Sequence, residues 1–441
     1  MLLFTLVVSV MTGLGFGIFP ALQLSGTNIN QTLRDEGRGA TGGRHHLELK
    51  GLLVVGQVAL SLMLLIAAGL LLRSFMRLMS VDPGFDPARV LTMKVSLPTV
   101  KYAKPEQQIA FFDEMLRKVS AVPGVGSTAM SAALPLTPIR VTPVLPEGQP
   151  DVPLAQRPFI IIEAITPGWF HTMRVPLKAG RDFKDTDTGQ SPNVVIINEA
   201  LAHQYWPNEN PLGKHILVGR QTSAAEIIGV AANVKNSGLA LDTQPQLYLP
   251  FRQLPWGNMN LLVRTNMEPH AMISAVRGQI SAVDPDQPVT GIQSIEELLD
   301  DSRAQPRSTM LLLTIFSATA LALVMVGLYG VLAYLVAQRR QELGIRLALG
   351  ADKSQIMRMI IQHGLKLTLV GISVGLVIAL VAALAVSLVG VGFMETLLYK
   401  AGLRDLTTFA FVPPVFLAIF LLACYIPARQ ATKVDPAEAL R

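Results

Sequence analysis

Five apolar runs mark out this chain, at residues 2–24, 51–72, 310–337, 367–394 and 406–426. Each is near the roughly 20 residues that a helix needs to cross the ~30 Å hydrocarbon core of a bilayer. In lipid an unpaired backbone group has no water to turn to, so runs of this kind predict membrane-spanning helices. The first run carries Gly13, Gly15 and Gly17, which membrane helices tolerate better than soluble ones. It lacks the basic start and the small-residue cleavage pattern of a signal peptide, and reads as a true span.

Residues 80–305 have a different texture. Apolar and polar positions alternate over 90–97, as in a half-buried strand. Pro105 then opens a helical stripe of Ile109, Phe112, Met115, Leu116 and Val119. A returning strand is predicted at 128–134, with further strands at 159–165, 194–197, 226–230, 246–249 and 260–263, and helices near 198–205 and 269–283. Prolines and glycines punctuate the joins. The pattern predicts an α-helical integral membrane protein of five spans that carries a large α+β extracytoplasmic domain. That domain is expected to hold two small α/β subdomains, the second inserted in the first.

Composition agrees with this class. Half of the 441 residues are hydrophobic and only 15% are charged, against roughly 25% in a soluble globular domain. The formal charge of +6 is uneven: residues 80–305 hold 19 Lys/Arg and 22 Asp/Glu, so the excess positive charge lies beside the spans. A nucleic-acid partner would need a basic face on the soluble domain, and that domain is slightly acidic. The positive-inside rule sets the orientation. Arg34, Arg38, Arg44 and Lys50 precede the second run; Arg339, Arg340, Arg346, Lys353, Arg358 and Lys366 separate the third from the fourth; Arg429, Lys433 and Arg441 follow the fifth. These segments are assigned to the cytoplasm and residues 80–305 to the outside. Arg73, Arg77 and Arg307 on the outer side count against the assignment without outweighing it.

Catalytic chemistry is thin. The one cysteine, Cys424, lies inside an apolar run, so no disulfide within the chain and no cysteine-based zinc site can form. His171, His203, His215 and His270 show no metal-ligand spacing, and His45-His46 sits in a Gly/Arg-rich stretch read as exposed. Trp169, Phe170, Tyr205 and Trp206 read as packing rather than as a ligand box. No nucleophile elbow appears. No phosphate-binding loop occurs: Leu212-Gly213-Lys214 is followed by His215, and Lys353-Ser354 is preceded by Asp352. No cofactor is implied, the chain is not read as an enzyme, and any ATP hydrolysis must come from another chain.

An internal echo links the ends. Phe19-Pro20-Ala21-Leu22-Gln23 resembles Ile426-Pro427-Ala428-Arg429-Gln430, and Leu-Arg follows at the same distance in each, as Leu33-Arg34 and Leu440-Arg441. Residues 1–24 are therefore expected to be the last span of a preceding repeat and residues 25–50 a cytoplasmic linker.

Between the third and fourth runs lies Gln341-Glu342-Leu343-Gly344-Ile345-Arg346-Leu347-Ala348-Leu349-Gly350-Ala351. A short helix here can lay Leu343 and Leu347 in a partner's groove, flanked by Glu342 and Arg346 at i, i+4. The residues alone fit an amphipathic connector at the headgroup level equally well.

The segment 342–351 resembles the signature of the FtsX-like permease family. Val81-Asp82-Pro83-Gly84-Phe85, Thr166-Pro167-Gly168-Trp169-Phe170, Gly180-Arg181-Asp182-Phe183, Asn198-Glu199-Ala200 and Asn210-Pro211-Leu212-Gly213-Lys214 resemble the MacB-type periplasmic core domain. Pro427-Ala428-Arg429 and the closing Asp435-Pro436-Ala437-Glu438-Ala439-Leu440-Arg441 resemble the family's ending. The whole is similar to the C-terminal half of an acidobacterial duplicated orphan permease. The resemblance implies a span at 51–79, a MacB-like periplasmic core domain at 80–305 and an FtsX-like permease domain at 306–441. It further implies a multi-pass protein of the bacterial inner membrane and an ABC ATPase docked on Gln341–Ala351. ATP-driven motion would pass through the long third span to the periplasmic domain, for export or extraction of a cargo that the sequence does not name. A homodimer or a second permease half, and a periplasmic adaptor, are the other partners implied. The alternative is a transmembrane signalling or scaffold subunit that regulates a periplasmic cell-wall enzyme without transport.

Overall fold

A computed structural model describes residues 42–137, 140–219, 223–338, 352–389 and 406–431. In chain order the elements are α1 (Gly42–Met79), β1 (Val90–Ser96), α2 (Pro105–Ser120), β2 (Val125–Ser131), β3 (Arg140–Pro146), β4 (Phe159–Ile165), α3 (Trp169–Met173), β5 (Leu177–Gly180), β6 (Val194–Asn198) and α4 (Glu199–Tyr205). There follow β7 (His215–Val218), β8 (Ala225–Ala231), β9 (Gln246–Pro250), β10 (Asn258–Thr265), α5 (Ile273–Ser281), β11 (Val289–Ser294), α6 (Ile295–Gln338), α7 (Lys353–Val389) and α8 (Leu406–Ala431). The chain folds into two compact units. One contains residues 68–314, and the other gathers most of the apolar helical segments.

Among the described residues three helices are long and apolar enough to cross a membrane, over Gly51–Met79, Ile295–Gly327 and Met357–Ala385. The apolar part of α8 is shorter, Thr407–Leu421. The run at 2–24 lies outside the described residues.

Three of these helices begin earlier than hydropathy predicts. α1 starts at Gly42, within the segment read as a linker, so His45-His46 fall in its first turns. α6 starts at Ile295, before the apolar run that opens at 310. Its start is a capping box: Ser294 Oγ accepts from Glu297 N at 3.1 Å, and Ser294 N donates to Glu297 Oε2 at 2.8 Å. Hydropathy misses it because the first turns are acidic, with Glu296 and Glu297 at the helix start. α7 begins at Lys353, where Asp352 accepts from Ser354 Oγ at 2.6 Å.

The soluble unit is built on eleven strands in one hydrogen-bonded network. β11-β1-β10-β2 form an antiparallel sheet. The odd positions of β1, Leu91, Met93 and Val95, share a core with Phe111, Phe112, Met115 and Val119 of α2 and Val276 and Ile280 of α5. Each such side chain contributes about 1.5–3 kcal/mol by leaving water. The other six principal strands close a ring, β4-β3-β7-β8-β6-β9, because β9 pairs back onto β4 in parallel. β5 hangs on β8. The ring encloses Val144, Ile160, Val195, Ile197, Leu201, Ile216, Ile227 and Leu247.

In sequence the ring is inserted between β2 and β10. Among the described residues the ladder joining it to the sheet is one pair, Ser131↔Ile165. Around that pair Ala132 N donates to Ala164 O at 2.9 Å, and Thr166 N donates to Met130 O at 3.0 Å. The strand network is thus continuous across a narrow joint.

β2 runs Val125–Ser131 rather than 128–134. Gly124, at φ +93°, turns the chain into it, and Ala132 already hydrogen-bonds across the joint. β3, β5, β7 and β11 are not predicted from the pattern. β3 holds two prolines, Pro143 and Pro146, and β5 and β7 have four residues each.

One close approach yields a test. Gly84 lies at φ +82°, and a Cβ there would sit 2.0 Å from the Asn233 carbonyl oxygen. Left-handed backbone costs other residues about 1–3 kcal/mol, and the overlap adds to that. Gly84→Ala should therefore lower the melting temperature of the full-length protein in detergent by several degrees. Gly148→Ala, at φ +88° with nothing within 4 Å, should lose only the conformational part. Equal melts for the two variants would contradict the packing at Gly84.

Candidate functional site

The predicted coupling residues, Gln341 through Ala351, lie outside the described residues. The described elements on either side of them are α6 and α7, and the packing of these two helices can be built up from individual side chains.

In the helical unit, α1 is the shared surface. Going up α1, Gly51 meets Leu367, Val58 meets Gly371 and Ala59 meets Gly375, so α1 and α7 run parallel. A Cβ on Gly371 would lie 2.5 Å from Val58 Cγ1, and one on Gly375 would lie 2.8 Å from the Ala59 carbonyl oxygen. α6 runs antiparallel to α1: Ser61 Oγ donates to Ala320 O at 3.3 Å, and Ser317 Oγ donates to Leu64 O at 3.0 Å. Further along, Gly327 leaves room for Gln57, whose Oε1 would be 2.6 Å from a Cβ. In lipid no hydrophobic gain drives helices together, so small residues and short polar bridges of this kind fix which faces meet.

In the soluble unit, the motifs singled out from the sequence converge. Phe85, Trp169, Phe170 and Phe183 share one buried cluster with Tyr248 and with Ile295, the first residue of α6. The rings of Trp169, Phe170 and Tyr248 lie 5.0–5.5 Å apart. Trp206 is also buried, in the ring core, with Tyr205 packed against it. The packing reading of these aromatics is therefore the observed one. Leu298 packs on the cluster from the next turn of α6. Beside it, Leu299 of α6 and Leu78 of α1 meet Leu239.

Polar motif residues hold the loops around this cluster. Asp82 Oδ1 accepts from Gly84 N at 2.8 Å. Asp182 accepts from Gly168 N at 3.2 Å and from Phe183 N at 2.7 Å. Asn198 caps α4 by accepting from Leu201 N at 3.0 Å, and also accepts from Gln246 N at 3.0 Å. Asn233 Oδ1 accepts from Ala200 N at 3.0 Å. Gly213 N donates to Ile227 O at 2.9 Å, and Lys214 pairs with Glu209.

One residue missed by the sequence reading is Arg264. Its guanidinium is buried and donates to three carbonyls, Thr172 O at 2.6 Å, Ala88 O at 2.7 Å and Asp86 O at 2.8 Å, with Asp86 Oδ2 at 3.3 Å. Burial pushes its pKa down, against the pull of Asp86. A charge directly after the apolar stretch Leu261-Leu262-Val263 of β10 was its only sequence signal. The arrangement holds parts together and offers no nucleophile, base and oxyanion donor around a common point.

A second such residue is Glu163, at the joint. Its Oε1 accepts from Ala133 N at 2.7 Å, and its strand neighbour across the β4–β9 ladder is Tyr248. Burial pushes Glu163 up to about 8, opposed by the Ala133 N–H and by Arg140. Burial also raises Tyr248, with Glu163 adding to the shift.

These parts define a class: a membrane-embedded helical bundle whose spans lead into a large α+β domain. The sequence profile of the MacB-like periplasmic core domain matches residues 52–283, more than half of the chain, and that of the FtsX-like permease C-terminal domain matches residues 314–436. The chain belongs to the FtsX/MacB-type family of ABC transporter permeases. It is 26% identical over 293 residues to the uncharacterized ABC transporter permease YknZ of Bacillus subtilis, covering 64% of this chain and 69% of that protein. It is 26% identical over 296 residues to the probable syringafactin export ATP-binding/permease protein SyfD of Pseudomonas syringae, covering 63% of this chain and 42% of SyfD. The macrolide export ATP-binding/permease protein MacB of Agrobacterium fabrum gives 26% over 285 residues, with 62% and 42% covered. The chain thus spans less than half the length of these ATP-binding/permease relatives. Among solved structures, the periplasmic region of MacB from Actinobacillus actinomycetemcomitans aligns at 14% identity and a TM-score of 0.35, covering 52% of this chain and 98% of that one.

The pH response of Glu163 follows by sign. Its folded pKa is raised above the ordinary 4.5 to about 8, so the folded state holds a proton that the unfolded chain has lost. Stability is full below 4.5 and falls as pH rises toward 8. Glu163→Gln keeps the acceptor for Ala133 N and removes the ionisation. It should raise the melting temperature at pH 8 and flatten the melting profile between about pH 5 and 8. A parent and variant with parallel pH profiles would remove Glu163 from the account.

Proposed function

We propose that this chain is the permease subunit of a mechanotransmission-type ABC system. A separate cytoplasmic ATPase docks on Gln341–Ala351, and closure of that ATPase on ATP shifts the spans. α6 carries the displacement to the periplasmic domain, which moves a cargo for export or extraction. The observation that carries this reading is α6 itself. One helix starts in the aromatic cluster at Ile295 and ends at Gln338, three residues before the loop.

Supporting features agree. The FtsX-like profile match at 314–436 runs across the loop. Curated relatives such as SyfD and MacB are described as ATP-binding/permease proteins, which supports an ATPase partner. The alternating directions of α1, α6 and α7 are those of consecutive crossings. They support a multi-pass membrane protein with residues 80–305 in the periplasm; the inner membrane as its location, a two-subdomain layout and a fifth span at 2–24 are further parts of the proposal. Assembly as a homodimer or with a second permease half, and contact with a periplasmic adaptor, belong to the same reading.

The test is purification of the full-length protein from native membranes in mild detergent, with identification of the proteins retained and an ATP hydrolysis assay. The expected result is an ABC ATPase whose turnover this chain stimulates. Gly344→Trp should abolish that stimulation while leaving yield and elution volume unchanged. Normal stimulation by the variant would overturn the coupling role of the loop.

A further inference from the structure

One face of α7 holds Gly364, Thr368, Gly371, Gly375 and Ala379, all buried, and its glycines are the seat for α1. Arg358, Gln362, Lys366, Val370, Val374 and Ile378 follow one another at a spacing of four and form an inclined ridge that drifts about 40° per step, crossing the side away from α1 at Lys366 and turning back toward it at Ile378. All six are exposed. The ridge changes character once. Its first three members are polar with two cations, and its last three are aliphatic and 41–52% exposed.

The charge on this ridge is unbalanced. The 37 residues of α7 contain no Asp or Glu. Neither Arg358 nor Lys366 has an acidic partner among the described residues. Lys366 sits where the apolar run begins, with Arg358 about two turns behind it on the same ridge.

Dimensions match a lipid. Lys366 to Ile378 is twelve residues, about 18 Å along the helix, close to the roughly 15 Å of one leaflet's hydrocarbon. Arg358 lies a further ~12 Å back, and both long side chains can bring their charges into the headgroup layer. A zwitterionic headgroup brings its own ammonium and would leave these cations uncompensated.

We propose that the ridge is a binding site for an anionic phospholipid, with its phosphate between Lys366 and Arg358 and an acyl chain along Val370, Val374 and Ile378. This inference rests on α7 being a membrane span, not on the coupling role of the loop.

The test uses the full-length protein with Cys424→Ser and Val374→Cys, labelled at position 374 with a fluorophore. The protein is reconstituted into vesicles of equal parts phosphatidylcholine and phosphatidylglycerol, with one lipid or the other brominated. Brominated phosphatidylglycerol should quench more strongly, the preference corresponding to about fivefold in local association for each cation. The preference should shrink as salt is raised. R358Q/K366Q should bring the two lipids close to parity while elution and melting stay those of the parent. Should that variant fail to fold, the salt dependence of the parent decides. Equal quenching by the two lipids, a preference that salt leaves intact, or an unchanged preference in the folded double variant would overturn the proposal. So would a disulfide-linked dimer formed through Cys at position 374 in these vesicles, which would put a second copy on the ridge.

Discussion

The close approach of α7 to α1 is the interaction on which the helical unit depends. A bilayer supplies no hydrophobic reason for two helices to meet, because lipid tails are as apolar as leucine. What selects a partner is how near two backbones can come. Gly371 and Gly375 let α7 settle on Val58 and Ala59 closely enough that a single extra carbon would overlap. α6 takes another face of α1 through two serine hydroxyls that reach backbone carbonyls. One helix thereby sets the position of two others. These are the two helices on either side of residues 339–351 in the sequence.

The soluble unit solves a different problem. Its sheet and its ring each bury an apolar core, yet their ladders touch at one residue pair. Stiffness at that point comes from side chains. Phe251 brings the end of the ring into the core beneath α2, stacking edge-on against Phe112 at 5.5 Å. Arg252, the next residue, reaches Asp113 of α2 at 2.9 Å. The first turn of α6 is seated in the neighbouring aromatic cluster. The start of that helix is held by packed rings rather than by a loop.

Much of this was legible in the sequence, and the limits have physical causes. Alternation located β1, short apolar runs bounded by turn residues located β4, β6, β8, β9 and β10, and the stripe behind Pro105 located α2 to within a residue. Long apolar runs located α1, α6, α7 and α8, and the start of α8 at Leu406, though not where α1, α6 and α7 begin, because those starts are not written in hydropathy. The box at Ser294 and Glu297 was readable, and the apolar scan passed over it. Ring closure was not readable: the parallel pairing of β4 with β9 joins residues some 85 positions apart, and no local pattern encodes it. The motif residues stood out by type, yet only the fold shows that Gly84, Gly168, Asp182 and Asn198 surround one cluster. Glu163 and Arg264 were visible only as charges inside apolar strands, a weak signal until burial is known.

Closing six strands on themselves has a consequence for solubility. A strand at the margin of an open sheet offers unpaired amides and carbonyls to any other chain, and aggregation begins there. In the ring each strand has a neighbour on both sides. Among the described residues the margins that remain are β11, whose pairing with β1 is interrupted by a bulge, β5, only four residues long and mostly exposed, and the side of β2 that meets β4 at one pair. β11 and β5 are not flat, greasy templates. A domain built this way can be present at high density on a membrane surface without zipping its sheets to those of its neighbours.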